Sequence, residues 1–439
     1  MFKRKKLFLI LIVVVSLLLV ACNAEEQSSS QEKSDDKVEI VIAGGAVGKE
    51  LETIKKAARM YENDHSNVDI KVLDTPNLAQ DRLDLYLQYL KNKSSEVDLY
   101  QIDMTWPGDL AQYFIDLNNN EINQAIEKHF QTVVESNRVN DKLIAIPWFI
   151  ESSLLYYRSD LLEKYGYEGP PRTWDQLEKM VKKIQKEERD KGNSNFWGYL
   201  WQGEAYEGLT SNALEWIASN NGGTIVNSEQ EITVNNQQAR EMIKEVASWV
   251  GRISPHGVTS MTEESTRKMW QSGNAVFMRN LPYVYALASA EDSAVEGKFD
   301  VAPLPAGDGD STSVLGGGSL AVSKYSEHPQ VAADVALFMT SPKVQKMRAI
   351  EAALNPTIKS LYQDQEVLAA VPFFEKLYNV FITATPRPAS VTAPNYNQVS
   401  QAFYQAVHSV LTGEKDTATA LEKLEEKLKK ITAFKTDNP

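Results

Sequence analysis

The chain has 439 residues, a formal net charge of −13 and 43% hydrophobic residues, with 8 Trp, 18 Tyr and 14 Phe. That is enough apolar surface for two packed domains and excludes a disordered chain, while the acidic balance argues against nucleic acid or an anionic lipid surface as partner. The lone cysteine leaves no disulfide partner or thiolate metal site, and the scattered His65, His129, His256, His328 and His408 lack ligand spacing, so no metal or cofactor is expected.

The chain opens with Lys3-Arg4-Lys5-Lys6 and the apolar run Leu7 to Val20, too short to span a membrane. Residues 1–21 therefore read as a secretory signal peptide. Leu19-Val20-Ala21-Cys22 resembles a bacterial lipobox, in which the signal is cut before the cysteine and lipid is attached to it. Residues 24–37, AEEQSSSQEKSDDK, contain no large apolar side chain. With Cys22 they form an expected lipidated flexible tether over 22–37, which would hold the protein at the outer face of the cell membrane.

The folded body is expected from Val38. Val38–Ala43 is strand-like, and Leu51, Ile54, Ala58 and Tyr61 recur at helical spacing. The glycine loop between them is not a Walker phosphate loop. Gly44 and Gly48 enclose three residues where four are needed, and Glu50 stands where a hydroxyl should bind metal. A second strand, Val68–Leu73, precedes the helical stripe Leu83, Tyr86, Leu87 and Leu90, and a third, Val97–Ile102, ends at Asp103. This alternation implies an α/β lobe with a largely parallel sheet, whose ligands sit at the carboxyl ends of its strands. Gly44–Glu50, Thr75–Arg82 and Asp103–Trp106 should converge there.

After Leu143–Pro147 a second helix–strand series begins. Thr173 and Gln176 have capping-box spacing ahead of the stripe Leu177, Met180, Val181 and Ile184. Residues 196–203, FWGYLWQG, read as strand, Leu209–Ser219 as helix, and FDVAPLPAG and VLGGGSLAVSK as apolar runs around a turn region at 307–313. From His328 to Phe434 the pattern is almost wholly helical, with Leu421, Leu424, Leu428 and Ile431 on one face of the last helix.

The ordered blocks EVDLYQIDMTWPGDLAQYFIDL, IPWFIESSLLYYRSDLLEKYG, PPRTWDQLEKM, FWGYLWQGEAYEGL, NAVFMRNLPYVYAL and TPRPASVTAPNYNQVSQAFY together resemble the extracellular solute-binding proteins of ABC sugar importers, nearest the trehalose/maltose-binding branch. The resemblance spans roughly Val38 to Phe434. It implies a two-lobe, periplasmic-binding-protein-like α/β fold with a multi-strand hinge and a helical C-terminal region, the N-lobe holding 38–148 plus 277–326 and the C-lobe 149–276 plus 327–439. It further implies a monomer that binds a neutral di- or oligosaccharide without chemistry and delivers it to membrane permease subunits driven by a cytoplasmic ATPase. Matched block to block, the sugar-contacting positions fall on Glu50, Asn77, Arg82, Asp103, Phe149, Glu151, Gly317 and Arg387, with Tyr206 and Glu207 where related maltose binders place an aromatic patch. The glycine loop would then let the backbone approach a polyol whose hydroxyls Glu50 accepts.

These residue types suit such a ligand on chemical grounds: charged and amide side chains pair with hydroxyls, and Trp106, Phe149, Trp201 or Tyr206 could cover apolar sugar faces. Three positions depart from the branch: Leu281 and Gly318 stand where it usually carries stacking tryptophans, and Glu151 where it has aspartate. Each polar residue also has a plainer reading, Arg82 as a solvated helix-start residue, Glu50 as a first-turn acid favoured by the helix dipole, and Arg387 as a surface cation between prolines. The alternative function is a secreted glycoside hydrolase using Asp103 and Glu151 as its carboxylate pair.

Overall fold

The computed structural model describes residues 37–45, 47–374, 380 and 384–436. The expected signal peptide, Cys22 and most of the tether lie outside the described residues.

Apolar alternation and helical stripes fold into two mixed sheets. The strands are β1 (Val38–Ala43), β2 (Val68–Leu73), β3 (Leu99–Asp103), β4 (Ile146–Ser152), β5 (Leu154–Arg158), β6 (Trp197–Leu200), β7 (Ala275–Asn280), β8 (Phe299–Ala302), β9 (Leu315–Val322) and β10 (Asn355–Pro356). The first sheet runs β10-β4-β9-β3-β1-β2 and the second β8-β5-β7-β6. β1 is parallel to β2 and β3, but β9 is antiparallel to both β3 and β4. The first sheet is therefore parallel only in its opening half, not largely parallel as expected.

Helices cover the sheets where their stripes demand. In α1 (Glu50–Asp64) Ile54, Ala57, Ala58 and Tyr61 are buried, and in α2 (Ala79–Lys91) Leu83, Tyr86 and Leu90. Thr173 caps α3 (Trp174–Asp190) by accepting from the Gln176 amide at 3.2 Å. The reciprocal half of the capping box lands one residue early, Gln176 Oε1 accepting from Arg172 N–H at 2.9 Å. Next come α4 (Glu207–Ser219), α5 (Gln237–Trp249), α6 (Glu263–Gln271), α7 (Pro329–Met339), α8 (Pro342–Ala352), α9 (Tyr396–Leu411) and α10 (Thr417–Thr432).

β4 and β5 are consecutive in the chain yet belong to different sheets, so the backbone crosses between lobes at Ser153. It returns between β8 and β9. The expected boundaries shift accordingly. β7 and β8, mostly within the stretch assigned to the N-lobe, pair in the second sheet. Conversely α7 and α8, assigned to the C-lobe, pack against β9, β4 and α1 of the first. Trp148 Nε1 donates to Met339 O at 2.8 Å, pinning β4 beneath α7. Helical spacing in Val335, Ala336 and Met339 shows which face is buried, but not against which sheet. The last two helices do close the second lobe, with Val399, Phe403, Leu421, Leu424 and Leu428 in its core.

Candidate functional site

The carboxyl ends of β1 and β3, the start of β9 and the end of β4 face α4 and α6 across a cleft of about 910 Å³, its open mouth included. The first lobe contributes Glu50, Asn77, Arg82, Gln101, Asp103, Phe149, Glu151 and Gly316-Gly317-Gly318. The second contributes Tyr206, Glu207, Ser211, Glu263 and Arg279, and Arg387 reaches in from the late crossing segment. All the residues expected from the resemblance thus line one cleft. Trp106, proposed on chemical grounds, does not. It is 3% exposed and packs edge-on against Tyr86, with the Arg82 guanidinium 5.8 Å from its ring centroid. Trp201 is likewise core, its indole N–H donated to Ser254 Oγ at 3.0 Å.

Arg387 ties the two lobes together. Its Nη2 donates to Asp103 Oδ1 at 3.1 Å and its Nη1 to Glu207 Oε1 at 2.8 Å. Thr385 fixes the approach, its amide donating to Ser313 O at 2.8 Å beside the bridge to Val314. Burial alone would lower this guanidinium, but Asp103, Tyr396 and Glu207 outweigh it and hold its pKa well above the ordinary arginine range. Asp103 Oδ1 also accepts from Thr105 N and Oγ1 at 2.9 and 2.7 Å, a local turn that aims the carboxylate. Glu207, the first residue of α4, also accepts from the Tyr396 and Ser400 hydroxyls.

The glycine loop is shaped by the protein's own side chains rather than by a ligand. Gly45 N–H donates to Gln101 Oε1 at 2.8 Å, and Gln101 Nε2 donates to Glu50 Oε1 at 3.1 Å. A Cβ at Gly45 would strike the Glu50 carboxylate and sit 2.7 Å from Gln101 Nε2. Glu50 still lines the cleft, 4% exposed. On the facing strand Gly317 has φ +141°, and a Cβ there would lie 2.9 Å from Ile150 Cα. At Gly318 a Cβ would fall 2.5 Å from Phe149 Cε1. The space left by the absent tryptophan is therefore filled by the Phe149 ring, which is not what a vacant stacking site would show.

Glu151 sits on β4 of the first sheet rather than in the second lobe, paired across from Gly316. Burial, with Glu50, Asp103 and Glu263 nearby, raises its carboxyl to about 8, and Arg82 only partly opposes this. Glu263 is also raised by burial, although it accepts from Tyr206 Oη at 2.5 Å. The sequence reading missed Gln101, Glu263 and Arg279. Arg279 forms a buried bidentate pair with Glu215, both contacts at 2.9 Å, and donates to Gln202 Oε1 at 2.7 Å. Its signal was present in AVFMRN, a cation directly after an apolar run that reads as strand.

The sequence matches the bacterial extracellular solute-binding protein family over residues 45–346. The chain belongs to that family. A probable ABC transporter-binding protein of Deinococcus radiodurans is 46% identical to this solute-binding protein over 395 residues, 90% of this chain and 94% of the relative. The maltose-bound structure of MalE3 from T. maritima matches with a TM-score of 0.86 at 36% identity, covering 90% of this chain and 100% of that one. The GacH receptor of Streptomyces glaucescens, solved unliganded and with acarbose, shares the fold at a TM-score of 0.80 and 21% identity, over 91% and 100%. The family consists of solute-binding proteins rather than enzymes, and these likenesses lend no support to the hydrolase alternative.

Because Glu151 is raised from its ordinary 4.5 to about 8, the folded protein holds, between those two values, a proton that the unfolded chain releases. The resulting cost is absent below about pH 4.5 and grows as pH rises through about 8. Glu151→Gln should match the wild type near pH 4.5 and exceed it in stability above pH 8, by on the order of 5 kcal/mol. Denaturant unfolding across that range measures the difference.

Proposed function

We propose that this solute-binding protein captures a neutral di- or oligosaccharide of the maltose or trehalose type between its lobes and delivers it to the permease subunits of an ABC importer. The observation that carries this reading is a pair of buried donors with no acceptor among the described residues, the Nε of Arg82 and of Arg387. An unsatisfied buried donor is costly, and a hydroxyl, which both gives and takes a hydrogen bond, would satisfy it and donate in turn to Asp103, Glu50 or Glu207. The lining cations Arg279 and Arg387 are already paired with Glu215, Asp103 and Glu207, which leaves little positive charge for a phosphorylated sugar. Phe149 and Tyr206, each 6% exposed, offer apolar surface to sugar C–H faces.

Within this reading Asn77 and Gly317 contact ligand at the rim and floor, and Trp106 acts indirectly by holding Arg82. Ligand that bridges Asp103 and Glu207 favours the closed arrangement of the lobes. The closed form would then engage the permease as a monomer. Cys22, lipid-modified after signal cleavage, would keep the protein at the outer face of the membrane.

Calorimetric titration of maltose and trehalose into the purified body should give micromolar binding or tighter, about −8 kcal/mol, with no glucose released on prolonged incubation. Arg387→Ala should weaken it at least tenfold, since both lobes lose their shared donor. No binding by any di- or oligosaccharide would overturn the proposal, as would catalytic release of monosaccharide. The anchor is checked separately: Cys22→Ala should move the protein from the membrane to the soluble fraction, because the tether over 24–37 carries no large apolar side chain to take the place of lipid.

A further inference from the structure

Beneath the cleft floor lies a charge that the sugar-binding reading does not use. Arg348, on α8, is 1% exposed. Its guanidinium stacks 3.7 Å from the Trp148 ring centroid and 5.1 Å from that of Phe149. Nη2 stands 3.9 Å from Glu50 Oε1, and Nε donates to Thr53 Oγ1 at 3.4 Å. Neither Nη1 nor Nη2 has a hydrogen-bond acceptor among the described residues. A buried cation with so few partners is expensive, and an apolar side chain of similar length would fill the same space more cheaply.

What the charge does follows from what it touches. Arg348 meets two residues that line the cleft, Glu50 and Phe149. Glu50 reaches the cleft from the first turn of α1, held from the side by Gln101 and by the Val47 amide at 3.4 Å. Phe149 reaches it from β4, its ring over Gly318. We infer that Arg348 is a positioning residue for the binding cleft, fixing the Glu50 carboxylate by charge and the Phe149 ring by cation–π contact from the side that no ligand reaches.

The charge relations agree with this. Burial lowers the Arg348 guanidinium to about 10, and Glu50 and Glu151 oppose that lowering. Asp103 on β3, Arg82 on α2 and, from across the cleft, Glu263 on α6 act with Glu50 on Glu151. Arg348 therefore serves as a counter-charge to the acidic side of the cleft without occupying any of its space.

This inference rests on the proposed function only for the ligand used in its affinity arm, and a ligand-free arm stands apart from it. In the crystal structure of ligand-free Arg348→Met, the Glu50 carboxylate should rotate away from its present place and the Phe149 ring should leave Gly318. An unchanged arrangement of both would overturn the inference, whether or not any sugar binds. With maltose as probe, Arg348→Met should weaken binding about tenfold or more, while Arg348→Lys, which keeps a cation under the rings, should stay within a few-fold of the wild type. The loss caused by Arg348→Met should also shrink once Glu50→Gln is present. Equal losses in the Lys and Met variants, or identical losses with and without Glu50→Gln, would overturn it. Should Arg348→Met fail to fold, the Lys variant and its double with Glu50→Gln decide the matter by the same structure and titration.

Discussion

The bridge from Asp103 through Arg387 to Glu207 is the interaction on which the arrangement of this protein depends. It joins a strand end of one lobe, a helix start of the other, and the segment that crosses between them. With all three groups largely removed from water, the mutual attraction is much less screened than at the surface. A solute that replaces or extends these contacts acts on the lobe arrangement at the point of greatest leverage.

Part of the buried charge around the cleft is compensated within the protein itself. Arg279 and Glu215 form a bidentate pair behind the second-lobe wall, and Glu215 Oε1 also accepts from the Val314 amide at 3.1 Å, on the hinge itself. Removing one member of such a pair leaves the other uncompensated, which explains why these residues are tightly embedded despite not being the best stabilisers. A scaffold held in this way loses little freedom on binding, and that preorganisation is worth affinity.

Shape is set by glycine as much as by charge. At Gly45 the absent side chain makes room for Glu50 and Gln101, and at Gly318 for Phe149. In both places the backbone comes close to the protein's own side chains, which then present a finished surface to the cleft. A substitution at either would first disturb a binding residue and only then the ligand.

Periodicity and turn chemistry in the sequence by themselves determined the elements: the β1–α1–β2–α2–β3 opening, the Thr173 cap and the stripe of α3, and the leucine face of α10 all read directly, because they are local and depend on spacings of a few residues. Family resemblance carried the polar residues of the cleft. What only the tertiary structure decided is partnership. Whether α7 and α8 serve the first sheet or the second, and whether β7 stays with the lobe that precedes it, depends on contacts between residues far apart in the chain. Helical spacing marks a buried face without naming its neighbour. The same limit hid Arg348: a lone arginine among KVQKMRAIEA looks like any solvated helix cation, and only the packing of α8 against α1 and β4 places it beneath Trp148, Phe149 and Glu50. Trp106 failed in the opposite sense, since an indole beside a cleft strand can face either way, and the core behind β3 took it.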